Sequence, residues 1–217
     1  MTLEEAIAKI KPLDHNAMEI AQKRWDSIAK PLHSLGKLET LLIQIAGITG
    51  NAEVDLSRRG LIAMCADNGV VEEGVTQTGQ EVTAIVAENF LKYDTSVGVM
   101  CKQNHAEIFP VDMGMVTDTK VRTDHKIAYG TQNMTKGPAM TREQAVKGLE
   151  AGIDMVRELN DKGYRILATG EMGIGNTTTS SAVASVLLKQ PVEEMTGRGA
   201  GCLLYTSPSP RDMRRSR

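Results

Sequence analysis

Between Gly170 and Thr178 the chain reads Gly-Glu-Met-Gly-Ile-Gly-Asn-Thr-Thr, directly after a short apolar run and before an Ala/Val/Leu segment. Strand, glycine-rich turn and helix start together make a place where backbone N–H groups converge on a phosphate. The spacing from Gly170 to Thr177 is G-x-x-x-x-G-N-T, a Walker-type pattern with asparagine where lysine would stand. Without that lysine a triphosphate loses its main cationic partner, so a monophosphate is the expected ligand. Gly173 and Gly175 allow close backbone approach, and Asn176, Thr177 and Thr178 add side-chain and N-terminal donors. Plain helix capping would need fewer such residues in a row. A dinucleotide fingerprint is excluded, because Gly173-Ile174-Gly175 is followed by Thr178 and not by Gly or Ala. Glu171 has two open readings: a carboxylate that orients a ribose hydroxyl or handles a proton, or a solvated loop residue.

A second group lies in the loop 67–79, with Asp67, Glu72 and Glu73 and three glycines after an apolar strand. Asp67, at the strand end, is placed to cap or to touch a ligand. Glu72 and Glu73 could serve as base or metal ligands, but adjacent side chains diverge, and a solvated acidic turn is the favoured reading. His15, His33, His105 and His125 are dispersed with no zinc-type spacing, and no G-x-S-x-G elbow occurs. No metal site and no cofactor is expected.

The elements that must position these groups follow from periodicity. Thr2-Leu3-Glu4-Glu5 fits a capping box, residues 14–30 carry apolar positions at helical spacing up to Pro31, and Lys37 to Ile48 reads as a third helix. Leu61 to Ala66 is a short doubly buried strand, Thr78-Gly79-Gln80-Glu81 a second capping box opening a helix to about Lys92, and 95–103 another helix. Ala106 to Val111 is the next strand, 116–140 polar and irregular, and Thr141 to Gln144 caps a long helix to about Lys162. That helix feeds a strand over Tyr164–Ala168, with the next helix beginning near Ser180. The alternation predicts an α/β fold, a doubly wound, mostly parallel sheet preceded by an N-terminal helical subdomain. Ligands then bind at the carboxyl ends of strands, at loops 67–79, 112–119 and 170–178. The expected division is a helical region over 1–50, a Rossmann-like but incomplete α/β domain over 51–202, and a tail over 203–217.

Composition narrows the classes. Of the 217 residues 41% are hydrophobic and 24% charged, ordinary for a globular protein. The net charge is −2, and the tail alone carries +3 from Arg211, Arg214, Arg215 and Arg217 against Asp212, leaving −5 on the body. An acidic body with 3% aromatics argues against nucleic acid as partner. Three cysteines, Cys65, Cys101 and Cys202, without paired spacing, and no signal-peptide pattern, point to the cytoplasm, with Cys65 and Cys101 as buried inert thiols. No apolar run reaches membrane-spanning length. The tail has two prolines, four arginines and no periodicity. It resembles translated adapter read-through at the end of an incomplete gene, the favoured reading, against a flexible basic arm.

Assembled in order, the motifs resemble the nicotinate-nucleotide–dimethylbenzimidazole phosphoribosyltransferases, enzymes of cobalamin lower-ligand assembly. They are Arg24-Trp25-Asp26, the K-P-x-x-S-L-G-x-L-E pattern at 30–39, Cys65 to Val70, Glu73 to Thr76, and Val111 to Gly114. Gly130 to Asn133, Gly137 to Thr141, Gly170 to Thr178 and Gly197 to Gly201 complete the set. The resemblance implies a donor, nicotinate mononucleotide, an acceptor, 5,6-dimethylbenzimidazole, and a homodimer in the complete enzyme. It makes loop 170–178 the phosphate and ribose site, puts Glu171 near the reacting centre as an accessory carboxylate, and assigns Thr76 and Gln80, after Asp67, to the benzimidazole pocket. His33 stands where the family usually has glycine, and Asn68 where it often has histidine. The pattern stops after Gly201, and the family's catalytic glutamate and a phosphate-contacting lysine belong beyond it. The expectation is a C-terminally truncated enzyme with little or no turnover. The alternative is a non-catalytic nucleotide-binding or regulatory protein with a genuine basic tail.

Overall fold

The computed structural model describes residues 1–197. The tail 203–217, Cys202 and the motif residues after Gly197 lie outside the described residues.

Strands β1 (Arg59–Ala66), β2 (Ala106–Gly114) and β3 (Ile166–Met172) form a parallel sheet in the order β2-β1-β3. Helices α1 (Leu3–Ala8), α2 (His15–Ser27) and α3 (Lys37–Thr49) precede β1, and α4 (Glu81–Lys92) and α5 (Ser96–Gln103) connect β1 to β2. Helix α6 (Arg142–Asp161) returns the chain to β3, and α7 (Asn176–Leu188) and α8 (Val192–Met195) follow.

Period-two alternation along β1 sorts its side chains to two faces. Ala63 and Cys65 pack with Ala84, Ala87 and Phe90 of α4 and Cys101 of α5. Ile62 packs with Met155 and Leu159 of α6, joined by Val111 and Tyr164. Helices therefore cover both faces, which is the doubly wound arrangement expected. Burial pushes the Cys65 thiol up to about 12, aided by the carboxylates of Asp112, Glu171 and Asp67, so it stays protonated.

Helix starts follow local chemistry. Thr2 and Thr141 form complete capping boxes with Glu5 and Gln144. The box expected at Thr78 does not form. Helix α4 opens at Glu81 behind Gln80, which is already helical and gives no side-chain cap, while the Thr78 carbonyl accepts from Thr76 Oγ1 at 2.6 Å. Helix α2 ends at Ser27 because Ile28 turns to extended backbone before the Lys30-Pro31 step.

The largest boundary correction falls on the glycine segment. Strand β3 runs four residues past Ala168, to Met172, and α7 begins at Asn176 instead of near Ser180. Parallel pairing decides this: Gly170 lies opposite Ala63, Glu171 opposite Met64 and Met172 opposite Cys65. Partnered ladder bonds outweigh the weak strand preference of glycine and glutamate.

Candidate functional site

All three strands end on one side, and their following segments meet there. The turn after β3 is only Gly173-Ile174-Gly175. A Cβ on Gly173 would lie 2.2 Å from the Ala66 carbonyl oxygen, so only glycine lets β3 and β1 end this close together. Gly175 has φ 85° and sits as the residue before α7 with no side-chain cap. The first-turn N–H groups of Thr177 and Thr178 thus face outward from an uncapped helix start. Asn176 N–H is drawn back to the Gly173 carbonyl at 3.0 Å.

Glu171, on β3, is exposed, and its Oε2 accepts from Asn176 Nδ2 across the turn. Asn176 Oδ1 in turn accepts from Thr177 Oγ1 at 3.2 Å. A carboxylate, an amide and two hydroxyl-bearing residues therefore stand round the uncapped helix start. They can accept ribose hydroxyls and donate to a phosphate.

Asp67 is completely buried. Its Oδ2 accepts Val116 N–H at 2.8 Å, and its backbone joins Gly114 and Thr131, so it ties the ends of β1 and β2 to the segment 115–131. Burial raises its pKa, opposed by the Thr83 hydroxyl and the Val116 amide and reinforced by the nearby Asp112 charge. Thr76 and Gln80 are half-buried. Gln80 Nε2 donates to the Asn68 carbonyl at 3.2 Å, so Gln80 braces the loop. Glu72 and Glu73 do not stand free. Glu73 accepts from Asn133 Nδ2 at 2.6 Å, and Glu72 meets Lys136 Nζ at 2.6 Å, which holds its carboxyl below the ordinary range.

Sequence reasoning missed the parts played by four residues. Asp112, buried at the end of β2, accepts from Gly114 and Met115 N–H at 2.9 and 2.8 Å across a register shift, and lies 3.2 Å from Lys126 Nζ. Lys126 comes from the segment 116–140, whose lack of periodicity hid its hydrogen-bonded order. Thr83 and Asn68 hold the turn itself: Thr83 Oγ1 accepts Ile174 N–H at 3.0 Å, and Asn68 Nδ2 donates to the Ile174 carbonyl at 3.1 Å. The one available signal was an aspartate closing each of the first two apolar strands. Among the described residues no group of three or more His, Cys, Asp or Glu is arranged to hold a metal ion.

A family model described as Phosphoribosyltransferase matches residues 10–203. The chain belongs to that phosphoribosyltransferase family. Relatives named nicotinate-nucleotide–dimethylbenzimidazole phosphoribosyltransferase include those of Ruminiclostridium cellulolyticum, 51% identical, and Clostridium acetobutylicum, 49% identical, each covering 93% of this chain. The chain spans 58% of the length of both relatives. Among solved structures, CobT from Thermus thermophilus superposes with a TM-score of 0.79 at 34% identity, over 92% of this chain and 59% of that one. The fold is therefore shared with CobT, and the family read from the motifs is the family found.

Proposed function

We propose that this chain carries the donor side of a phosphoribosyl transfer from nicotinate mononucleotide to 5,6-dimethylbenzimidazole, giving α-ribazole 5′-phosphate and nicotinate. The observation that carries the reading is the uncapped start of α7 behind Gly173–Gly175, with Glu171 and Asn176 facing each other across it. A 5′-phosphate takes the N–H groups of the first turn and the hydroxyls of Thr177 and Thr178. Glu171, already an acceptor for Asn176, is placed to accept from a ribose hydroxyl.

In the reaction an azole nitrogen forms a bond to the anomeric carbon as the bond to the pyridinium nitrogen breaks. The bonding pair leaves with nicotinate and cancels its ring charge, and the second azole nitrogen gives up its proton to a carboxylate. Such a base contributes roughly a hundred- to ten-thousand-fold. The resemblance assigns it to a glutamate in a part of the family pattern that no residue of this sequence matches, leaving Glu171 an accessory role. Thr76 and Gln80 flank the acceptor's place in this reading, and Asp67 supports it from below. The family likeness further supports a homodimer, and the free buried thiols Cys65 and Cys101 support a cytoplasmic setting. Helices α1 to α3 belong in this reading to a small helical domain.

Calorimetric titration tests the proposal. Nicotinate mononucleotide should bind, magnesium ATP should not, and turnover with dimethylbenzimidazole should be far below that of a full-length relative. Gly173→Ala should weaken nucleotide binding more than about tenfold, because the new Cβ would lie 2.2 Å from the Ala66 carbonyl oxygen, a backbone atom that cannot swing aside. Binding of ATP, or equal binding by Gly173→Ala, would overturn the reading. Tight nucleotide binding with no transfer, even when the portion of a relative that this sequence does not span is supplied, would favour a regulator.

A further inference from the structure

The turn that presents the helix start contributes almost nothing to its own order. Two of its three residues are glycines, which lose the most conformational freedom on folding, and no side chain caps the helix behind it. Its middle peptide groups are instead held from outside. Ile174 N–H donates to Thr83 Oγ1 from α4 at 3.0 Å, and the Ile174 carbonyl accepts from Asn68 Nδ2 at 3.1 Å.

Both holders are themselves fixed. Thr83 is completely buried, and its hydroxyl lies against the buried Asp67 carboxylate, whose Oδ1 makes no well-formed hydrogen bond of its own. Asn68 Oδ1 accepts from Thr179 Oγ1 at 2.9 Å, and the Asn68 carbonyl accepts from Gln80 Nε2 at 3.2 Å. In a trans peptide the carbonyl and the following N–H point in opposite directions. Pinning the Ile174 carbonyl on Asn68 therefore forces the Gly175 N–H away from Asn68. With Asn176 N–H taken by the Gly173 carbonyl, both peptide planes of the turn are set. A flip of the Ile174–Gly175 peptide would exchange a donor for an acceptor at the edge of the cradle and repel an anion.

We propose that Thr83 and Asn68 are positioning residues that clamp the Ile174 peptide and thereby fix the direction of the amide groups offered to a phosphate. Neither touches the ligand; each acts through Ile174. The inference rests on the phosphate reading above, but it concerns the turn and can be measured without a ligand.

Amide hydrogen exchange on the whole chain, with nicotinate mononucleotide titrated in parallel, tests it. Thr83→Val keeps the shape and deletes the acceptor. Exchange at Ile174 should rise about tenfold relative to the amides of β1, and nucleotide affinity should fall about five- to tenfold, the worth of one hydrogen bond. Thr83→Ser should restore both. Should Thr83→Val fail to fold, Asn68→Ala reads the other jaw, with faster exchange at Ile174 and Gly175. Exchange in either folded variant that rises no more at the turn than in β1 would overturn the clamp. If the unaltered chain binds no nucleotide, the phosphate reading falls while the exchange data still decide the clamp.

Discussion

Asp67 shows how a residue singled out for its chemistry can be taken up entirely in holding strand ends together. As the first residue past a buried strand it looked able to cap or to touch a ligand, and the structure gives it the Val116 amide and the neighbourhood of Thr83, with no exposure. A carboxylate so buried prefers its neutral form, and Asp112 adds like-charge repulsion while Lys126 opposes it. Because its folded pKa lies above the ordinary value of about 4, its stabilising contribution is fully present below that value and is lost as pH rises through the folded pKa. Asp67→Asn keeps an oxygen for the Val116 amide and removes the ionisation. Urea unfolding from pH 4 to pH 8 should therefore show the variant gaining on the parent as pH increases. A difference that stays constant over that range would mean Asp67 titrates normally, and the burial argument would be wrong.

At the scale of elements, β3 and α7 stand apart from the rest. Strand β3 pairs only with β1 among the described residues, and α7 leaves Val183, Val186, Leu187 and Leu188 exposed, with Val186 and Leu187 at 76% and 75%. An open strand edge beside an apolar helix face promotes self-association. Val186→Lys combined with Leu187→Lys should reduce light scattering at high concentration while shifting stability by no more than about 0.5 kcal/mol, as exposed substitutions do. A large loss of stability would show that α7 packs through this face. The same two elements mark where sequence reading works and where it stops. Alternating apolar runs and capping residues made β1, β2, α5 and α6 legible, since each is decided by its own pattern. The extent of β3 was not, because its glycines and glutamate are strand only by virtue of the β1 ladder. Nor was the ordered path of 116–140, which is held by side chains such as Asp112 and Lys126 and by backbone bonds to strand ends. The glycine turn was legible as a turn before a helix start, whereas its hydrogen bonds to Thr83 and Asn68 join residues far apart in sequence and leave no local trace.

Across the whole molecule the contacts fall into two parts of unequal connection. Helix α1 is tied to α6 through the Met1 amino group on Asp154 at 3.1 Å and Leu3 N–H on Glu150 at 3.1 Å. Helices α2 and α3 pack chiefly on one another, with Asp14 N–H on the Gly47 carbonyl at 2.9 Å. The Lys30-Pro31 to Leu38-Glu39 motif closes this hairpin. Lys30 Nζ lies 2.9 Å from the buried Glu39 Oε1, and this contact holds the Glu39 carboxyl below its ordinary range against the opposing effect of burial. A nucleotide bound at the start of α7 stabilises whatever unfolds together with that site, by about 2.7 kcal/mol at a hundredfold excess over Kd, and leaves independent openings untouched. Saturating nicotinate mononucleotide should therefore slow exchange in β1, β3 and α4 while amides of α2 and α3 keep their rates. Lys30→Met, which leaves Glu39 buried without its partner, should speed exchange in α2 and α3 about tenfold or more and leave β1 unchanged. Equal protection of both parts by the nucleotide would show that hairpin and sheet unfold as one unit, and the motif at 30–39 would then belong to the stability of the site itself.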